Sequence, residues 1–198
     1  ATLFRLDFEN QIVPASVAGG TGATLTSAGQ TLQQGLEIAG NVESSGFVDW
    51  PVEVSGRLSY TWLPTAEYEG ERFSTVPGFT NVRVTGNRLP YTPENLLTAS
   101  LSMRTSFKLS MEVEAVYNSS AYTDDLNTME ITPNGQRGEM PGYTVWNLSA
   151  NYDLSGPCNC TLFFTAKNLS DKSYVADMTR GLIPGMPRLL QGGFEIRF

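Results

Sequence analysis

Six arginines stand in the polar segments between the apolar stretches of this 198-residue chain, and their chemistry is the binding of anions. The six are Arg72, Arg83, Arg88, Arg137, Arg180 and Arg188. A guanidinium group presents a planar fork of N–H donors that matches the two oxygens of a carboxylate. The leading candidates to bind a ligand are Arg137 and Arg180, and the further candidates are Arg72, Arg83 and Gln136. A solvated loop charge is the simpler explanation of each one taken alone.

Two other clusters invite a metal interpretation. Asp124, Asp125 and Asn127 gather the oxygen ligands that calcium prefers, but capping of a loop turn explains them equally well. Cys158 and Cys160 could form a small strained disulfide, stay as free thiols or offer two soft ligands. Two ligands alone do not make a zinc site, so we expect no bound metal.

Composition excludes several classes of function. The chain has no histidine, which argues against histidine-based hydrolases and most transition-metal sites. Its net charge of -7 argues against nucleic acid as a partner. We therefore expect neither an enzyme nor a cofactor. No stretch approaches the roughly 20 apolar residues of a membrane-spanning helix.

The elements that must position the arginines are strands with a two-residue repeat. At the end of the chain Phe194, Ile196 and Phe198 alternate with Glu195 and Arg197. Such a repeat is typical of a strand with two different faces. The same alternation predicts seven earlier strands, over about 2–13, 30–44, 52–62, 97–104, 107–118, 146–154 and from 161.

The connections between these strands alternate between long and short, with long loops at about 14–29, 63–90, 121–142 and 179–187. This alternation is typical of an outer-membrane barrel, whose apolar face meets lipid. The predicted fold is all-β: an antiparallel transmembrane β-barrel with about eight strands in this chain. A water-soluble sandwich or lipocalin-like barrel is the alternative. It is disfavoured by the long loops and by polar faces made mostly of Ser, Thr and Asn.

Charged residues on the polar face are predicted to point into the barrel lumen. They either contact a plug or permeant, or form a salt-bridge network that holds the barrel's shape. The predicted lumen-facing residues are Arg5, Asp7, Glu9, Glu37, Glu53, Arg57, Lys108, Glu112, Glu114, Glu195 and Arg197.

Several segments, in order along the whole chain, resemble the C-terminal barrel of TonB-dependent outer-membrane receptors, especially the iron(III) dicitrate subgroup. Each is a weak match alone, and together they are specific to the superfamily. They are FENQIVPAS at 8–16, NRLPYTPE at 87–94, YTDDLNT at 122–128, PGYTVWN at 141–147, KNLSDKSY at 167–174 and GMPR at 185–188.

The resemblance implies a barrel of about 22 strands around a plug, of which residues 1–198 would be the C-terminal portion. The plug domain and the earlier strands would be absent, which fits a chain that begins inside a strand. The implied function is TonB-driven uptake of a ferric chelate of the siderophore or iron-citrate type in the bacterial outer membrane. Implied partners are outer-membrane lipid, the TonB complex through the absent plug, and the rest of the same receptor. The loop arginines would bind the anionic chelate.

A self-contained eight-stranded outer-membrane barrel with a structural or adhesive role is the alternative, since eight strands are enough to close a barrel. In such a barrel the first strand pairs with the last. A portion of a larger barrel instead leaves both outer strands with an open edge.

Overall fold

The computed structural model describes residues 1–10, 12–14, 25–27, 29–46, 51–154 and 159–197. Cys158, Phe198 and the side chain of Arg197 lie outside the described residues, so what was expected of them stays a prediction. None of the helices found among these residues is long and apolar enough to cross a membrane.

The described residues form strands joined by short turns and by long connections. The strands are β1 (Thr2–Phe8), β2 (Ile12–Pro14), β3 (Leu25–Ser27), β4 (Gln30–Glu43), β5 (Val52–Glu69), β6 (Asn95–Thr105), β7 (Leu109–Asn118), β8 (Ala121–Tyr122), β9 (Glu139–Met140), β10 (Tyr143–Leu154), β11 (Asn159–Lys167), β12 (Val175–Asp177), β13 (Ile183–Pro184) and β14 (Leu189–Arg197). A single turn of 3-10 helix (Ser44–Gly46) follows β4.

Eight strands form one antiparallel sheet in the order β1-β4-β5-β6-β7-β10-β11-β14. The other six pair as the small hairpins β2-β3, β8-β9 and β12-β13, which lie within the long connections. The all-β antiparallel prediction is confirmed, and the eight sheet strands correspond to the eight predicted from the sequence. The third of them, β5, is longer than expected, because it runs for 18 residues and continues past Trp62 to Glu69.

The register of the sheet separates apolar from polar side chains. Leu101 pairs with Val113, which pairs with Leu148, so these three lie on one face. One residue along, Ser100 pairs with Glu114 on the opposite face. Since side chains alternate along every strand, the whole sheet acquires an apolar face and a polar face.

The apolar face is exposed rather than packed in a protein interior. Leu101 is 59% exposed, Val42 62% and Phe194 67%. In a water-soluble sandwich this face would be covered by a second sheet. Its exposure across the sheet disfavours the soluble alternative and fits a surface that meets lipid.

The buried core lies instead at the end of the sheet that carries the long loops, here called the loop end. It is a cluster of loop and β5 residues that covers the polar face of the sheet there. Its members are Leu63, Ala66, Tyr68, Val84 and Leu89, with Phe4 and Leu126 packed against them.

A β-bulge separates this loop end from the rest of the sheet. Gln34 pairs with Thr65 and Leu36 pairs with Trp62, so two β5 residues stand opposite the single residue Gly35. A methyl group on Gly35 would lie 2.5 Å from the Trp62 carbonyl oxygen and 2.8 Å from Phe4 Cζ. Glycine is therefore required here by the close approach of the Trp62 carbonyl and the Phe4 ring.

The lumen-facing prediction is wrong for Arg5 and Asp7. Register places Phe4 opposite Gly35 and Arg5 opposite Gln34, so Arg5 and Asp7 share the face of Leu36, on the side opposite Glu37. The physical reason is that β1 pairs with β4 mainly from Gly35 onward, on the loop side of the bulge. There the loop core covers the polar face and packs against Phe4, so Arg5 and Asp7 lie on the opposite face, where they form an exposed ion pair at 3.0 Å.

Glu9 and Lys108 also leave the predicted set. Glu9 lies after the end of β1. Lys108 lies in the turn between β6 and β7, with a φ of 67°, and donates its backbone N–H to the Thr105 carbonyl at 3.1 Å. Three-residue hairpin loops commonly end in such a left-handed residue. The sequence pattern predicts a strand that begins at 107, two residues before the observed start of β7 at Leu109, and so assigns Lys108 to the strand.

The two outer strands of the sheet each pair on one side within the described residues. β1 pairs with β4, β14 pairs with β11, and no ladder joins β1 to β14. The pairing expected of a self-contained eight-stranded barrel is not seen in this part of the chain.

Candidate functional site

Three long loops that are described along their whole length extend from the loop end of the sheet. We call them loop A (residues 70–94), loop B (residues 119–142) and loop C (residues 168–188). The leading candidate residues for ligand binding lie at the tips of loops B and C.

The tip of loop A is a tight turn that presents an aromatic ring. The Phe79 N–H donates to the Val76 carbonyl at 3.0 Å, and Gly78 has a φ of 87°. This is the conformation that Pro77-Gly78 favours, since glycine accepts positive φ without steric cost. Phe79 emerges 46% exposed at the tip.

The tip of loop B closes on Arg137. The Thr132 N–H donates to the Arg137 carbonyl at 2.9 Å, and the Arg137 N–H donates to Thr132 Oγ1 at 3.1 Å. The Arg137 guanidinium lies over the Phe79 ring, with Cζ 6.0 Å from the ring centre. This cation–π contact joins the tips of loops A and B.

The tip of loop C meets loop B on its other side. A methyl group on Gly135 would lie 3.0 Å from the backbone nitrogen of Leu182, and one on Gly181 would lie 3.6 Å from the Asn134 carbonyl oxygen. Arg180 is exposed beside Gly181 in this contact. Arg137 and Arg180 are thus brought to neighbouring loop tips.

Gln136 lies in the same tip turn, next to Arg137. Its Oε1 atom accepts a hydrogen bond from Asn134 Nδ2 at 2.9 Å, and its backbone N–H donates to Asn134 Oδ1 at 3.2 Å. Within the described residues, no partner is seen for the side-chain N–H donors of Gln136, which could therefore bind a ligand.

Arg72 contacts Tyr68 of β5, and Arg83 contacts Thr85 within loop A. The Arg72 guanidinium lies 5.7 Å from the centre of the Tyr68 ring, and its Nε and Nη2 atoms are buried. Burial, and next the charge of Asp125, raise the pKa of Tyr68. Arg83 Nε donates to Thr85 Oγ1 at 3.0 Å. Arg72 packs on the loop core, so its fork is less available to a ligand than that of Arg180.

Arg88 joins loop A to the β5 bulge. Its Nη2 donates to the Leu63 carbonyl at 2.7 Å, Nη1 to the Pro64 carbonyl at 3.3 Å and Nε to the Thr92 carbonyl at 2.8 Å. These carbonyls belong to irregular backbone that lacks ladder partners. Desolvation lowers the pKa of this half-buried guanidinium. The Arg88 guanidinium therefore connects loop A to β5 and has little capacity left to bind a ligand.

Asp124 and Asn127 shape the beginning of loop B. Asp124 Oδ1 accepts from the Leu126 N–H at 2.9 Å and from Thr128 Oγ1 at 3.1 Å. Asn127 has a φ of 53°, which asparagine tolerates better than most residues. The capping interpretation describes Asp124, whereas Asp125 is bound by Ser74 and Thr75 of loop A. Within the described residues no group of three or more His, Cys, Asp or Glu side chains is arranged to hold a metal.

The polar face carries an open cavity of about 390 Å³ toward the opposite end of the sheet. Its lining includes Glu43, Glu53, Arg104 and Glu112. Among the described residues of the polar face, Glu112 accepts a hydrogen bond from Ser102 Oγ at 2.8 Å, Glu114 accepts one from Asn147, and Arg104 and Glu53 form an ion pair at 3.9 Å.

Six residues of the predicted lumen-facing set share this polar face. Their position on a barrel lumen stays a prediction. They are Glu37, Glu53, Arg57, Glu112, Glu114 and Glu195. Cys160, on the apolar face opposite Ile196, is a half-buried free thiol.

The chain belongs to the TonB-dependent receptor-like β-barrel family, whose model matches residues 1–169. The open antiparallel sheet with long loops at one end is the wall of such a barrel.

Solved structures of this fold include three iron-related proteins. The ferric citrate transporter FecA, in the unliganded form, is 22% identical with a TM-score of 0.69, and the match covers 97% of this chain and 27% of that one. The siderophore receptor PiuA from Acinetobacter baumannii is 22% identical with a TM-score of 0.66, covering 98% and 25%. The ferric-catecholate import receptor Fiu from E. coli K12 is 23% identical with a TM-score of 0.63, covering 99% and 24%. The chain thus spans about a quarter of their length, and at these identities they show the fold alone.

Sequence reasoning missed the observed roles of two loop residues. Phe79 contacts Arg137, and Asp125 is fully buried between loops A and B. Pro77-Gly78 signals a turn and could have placed Phe79 at a tip. Nothing in the local sequence indicates that Asp125 is buried, because its partners lie in another loop.

Proposed function

We propose that this chain forms part of the wall and outer surface of a TonB-dependent outer-membrane receptor that takes up a ferric chelate of the siderophore or iron-citrate type. Residues 1–198 would be the C-terminal portion of a barrel of about 22 strands that encloses a plug. The apolar face would meet outer-membrane lipid, and the polar face would meet the plug. The TonB complex would act through the plug, which also belongs to the proposal.

The observation that carries the proposal is the placement of Arg137 and Arg180 at adjoining loop tips. Ferric chelates of citrate or siderophores carry negative charge on carboxylate or other oxygen donors. Two guanidinium groups at neighbouring tips, with the Gln136 amide beside Arg137 in loop B, offer charge-assisted hydrogen bonds to such a ligand. The iron-citrate subgroup is favoured further by the sequence segments shared with it.

Uptake of radioactive iron tests the proposal. Cells lacking the intact gene are compared with complemented cells, using ferric citrate, a catecholate chelate and a hydroxamate chelate separately. We expect TonB-dependent uptake of one chelate class in complemented cells only. Equal uptake of all three with and without the gene would overturn the assignment.

The site is tested in the same cells with Arg137→Ala and Arg180→Ala. Each should weaken chelate binding by about 10- to 100-fold, the range for losing a hydrogen bond to a charged group. Lys172→Ala is the matched control, because this exposed loop cation lies near the start of loop C and is not a candidate to bind the ligand. Equal loss in all three variants would place the ligand elsewhere.

A further inference from the structure

Asp125 belongs to loop B, but its carboxylate is bound by loop A. Oδ1 accepts from Ser74 Oγ at 2.6 Å, and Oδ2 accepts from the Thr75 N–H at 2.8 Å and from Thr75 Oγ1 at 3.2 Å. The side chain is fully buried, with 0% exposure. A buried carboxylate with three donors from another segment is a strong connection, because charge-assisted hydrogen bonds strengthen in a water-poor site.

Further contacts join the same two loops around Asp125. Asn87 Nδ2 donates to the Asp125 carbonyl at 2.8 Å, and the Tyr91 N–H donates to the Tyr122 carbonyl at 2.7 Å. Leu126 packs against the core cluster that contains Val84 of loop A. Separating the loops would strand a buried charge and expose apolar surface in one step, which opposes partial opening.

From this arrangement we infer that Asp125 is a positioning residue that makes loops A and B move as one rigid body. The body carries Phe79 at one tip and Arg137 at the other and holds their contact fixed with or without ligand. Any closure over a ligand then occurs between this body and other parts of the receptor. The single-body claim rests on the contacts alone, and its bearing on ligand binding rests on the proposed function.

Spin-label distances in the intact receptor test the single body directly. Labels at Val82 of loop A and Glu130 of loop B, both exposed, report the separation of the loops. Cys158→Ser and Cys160→Ser provide a background free of this chain's own thiols. We expect one narrow distance in the parent receptor, a broad distribution in Asp125→Asn and an intermediate one in Ser74→Ala. The matched control, Asp153→Asn, removes a carboxylate that binds Thr161 within the sheet and should leave the distance narrow.

An unchanged narrow distance in Asp125→Asn and Ser74→Ala would overturn the inference. If Asp125→Asn does not yield a folded, heat-modifiable receptor, Ser74→Ala decides alone, since it removes one hydroxyl and leaves Thr75 on the carboxylate.

A kinetic readout separates positioning from general damage. In Asp125→Asn the chelate concentration for half-maximal uptake should rise about tenfold as preorganisation is lost, with the maximal rate within about twofold of the parent. A fall in the maximal rate alone would contradict positioning. Should no ferric chelate be taken up, the proposed function fails while the distance measurement still judges Asp125.

Discussion

Arg88 of loop A and Asn127 of loop B pair like neighbouring residues of a sheet. The Arg88 N–H donates to Asn127 Oδ1 at 2.8 Å, and Asn127 Nδ2 donates to the Arg88 carbonyl at 2.8 Å. The asparagine side chain therefore satisfies both backbone groups of a residue in an irregular segment. Because the Arg88 side chain also binds the carbonyls of the β5 bulge, loop B is connected through Arg88 to the sheet.

Asn127→Asp should loosen loop B, because the carboxylate keeps the acceptor for the Arg88 N–H but loses the donor to the Arg88 carbonyl. The loss of one hydrogen bond predicts a drop of about 1–2 kcal/mol in the local free energy of opening. Hydrogen exchange of the amides of residues 124–128 measures it. Asn134→Asp, at an exposed loop tip, is the control and should leave those amides unchanged.

Arg88→Lys should destabilise the bulge, since one ammonium cannot reach the carbonyls of Leu63, Pro64 and Thr92 together. We expect a loss of about 1–3 kcal/mol in the protection of amides around Leu63. Arg83→Lys is the control, because this side chain has one neutral hydrogen-bond partner. Equal protection in both variants would show that the three carbonyls do not need the fork.

Leu101→Arg tests the apolar face against lipid. Leu101 lies near the middle of β6 and is 59% exposed, so an arginine there would enter the hydrocarbon region. The free energy of unfolding in lipid vesicles should fall by about 2–4 kcal/mol. Ser100→Arg, one residue away on the polar face, should change it by much less. Similar losses from both substitutions would contradict a lipid-facing surface.

Gly185→Ala should disrupt loop C, because a methyl group at Gly185 would overlap the Tyr174 ring. That ring is stacked on Tyr143 of β10, with centroids 4.2 Å apart. Overpacking of this kind costs about 1–3 kcal/mol. Thermal unfolding measures the loss, and Tyr174→Leu in the same chain should restore part of it. A second substitution that only adds to the damage would mean that the clash is not with Tyr174.

Alkaline pH should weaken the loop end through Tyr91. Burial raises the pKa of Tyr91 to about 12, from an ordinary value of 10.0. The neutral phenol is favoured in the folded state, so its contribution is complete below pH 10.0 and is lost as the pH rises through about 12. The near-ultraviolet absorbance of the parent and of Tyr91→Phe is titrated against pH. The difference between the two curves should show one phenol that ionises above the ordinary tyrosine pKa. A difference centred at the ordinary value would contradict the burial.

Alternation along single strands was enough to predict most of the sheet. Val113 and Glu114, for example, alternate because one face is apolar, and the register confirms it. The same reasoning reversed β1, because Phe4 and Arg5 alternate just as regularly. What differs is the surroundings: the loop core contacts β1 from the side that is polar elsewhere. A local pattern cannot report which face another loop covers.

In the candidate site, too, local features could be predicted from the sequence, whereas contacts between loops could not. The distances of Arg137 and Arg180 along the sequence from the flanking strands predict positions near loop tips, and the chain turns at both residues. The contact of Arg137 with Phe79 and the burial of Asp125 depend on how two loops approach each other. Such approaches are decided by residues about 50 positions apart, such as Thr75 and Asp125, and leave no local periodicity.

The β-bulge opposite Gly35 separates two parts of the sheet in which we expect substitutions to have different effects. On the side toward the short turns, where the apolar face is exposed, apolar side chains should be tolerated better than charged ones. On the loop side, where the core cluster is buried, exposed leucines should instead favour aggregation, as they do in water-soluble domains. Peptide tags and epitopes should therefore be inserted in the loops, and a mutational scan should show different tolerated residue types on the two sides of the bulge.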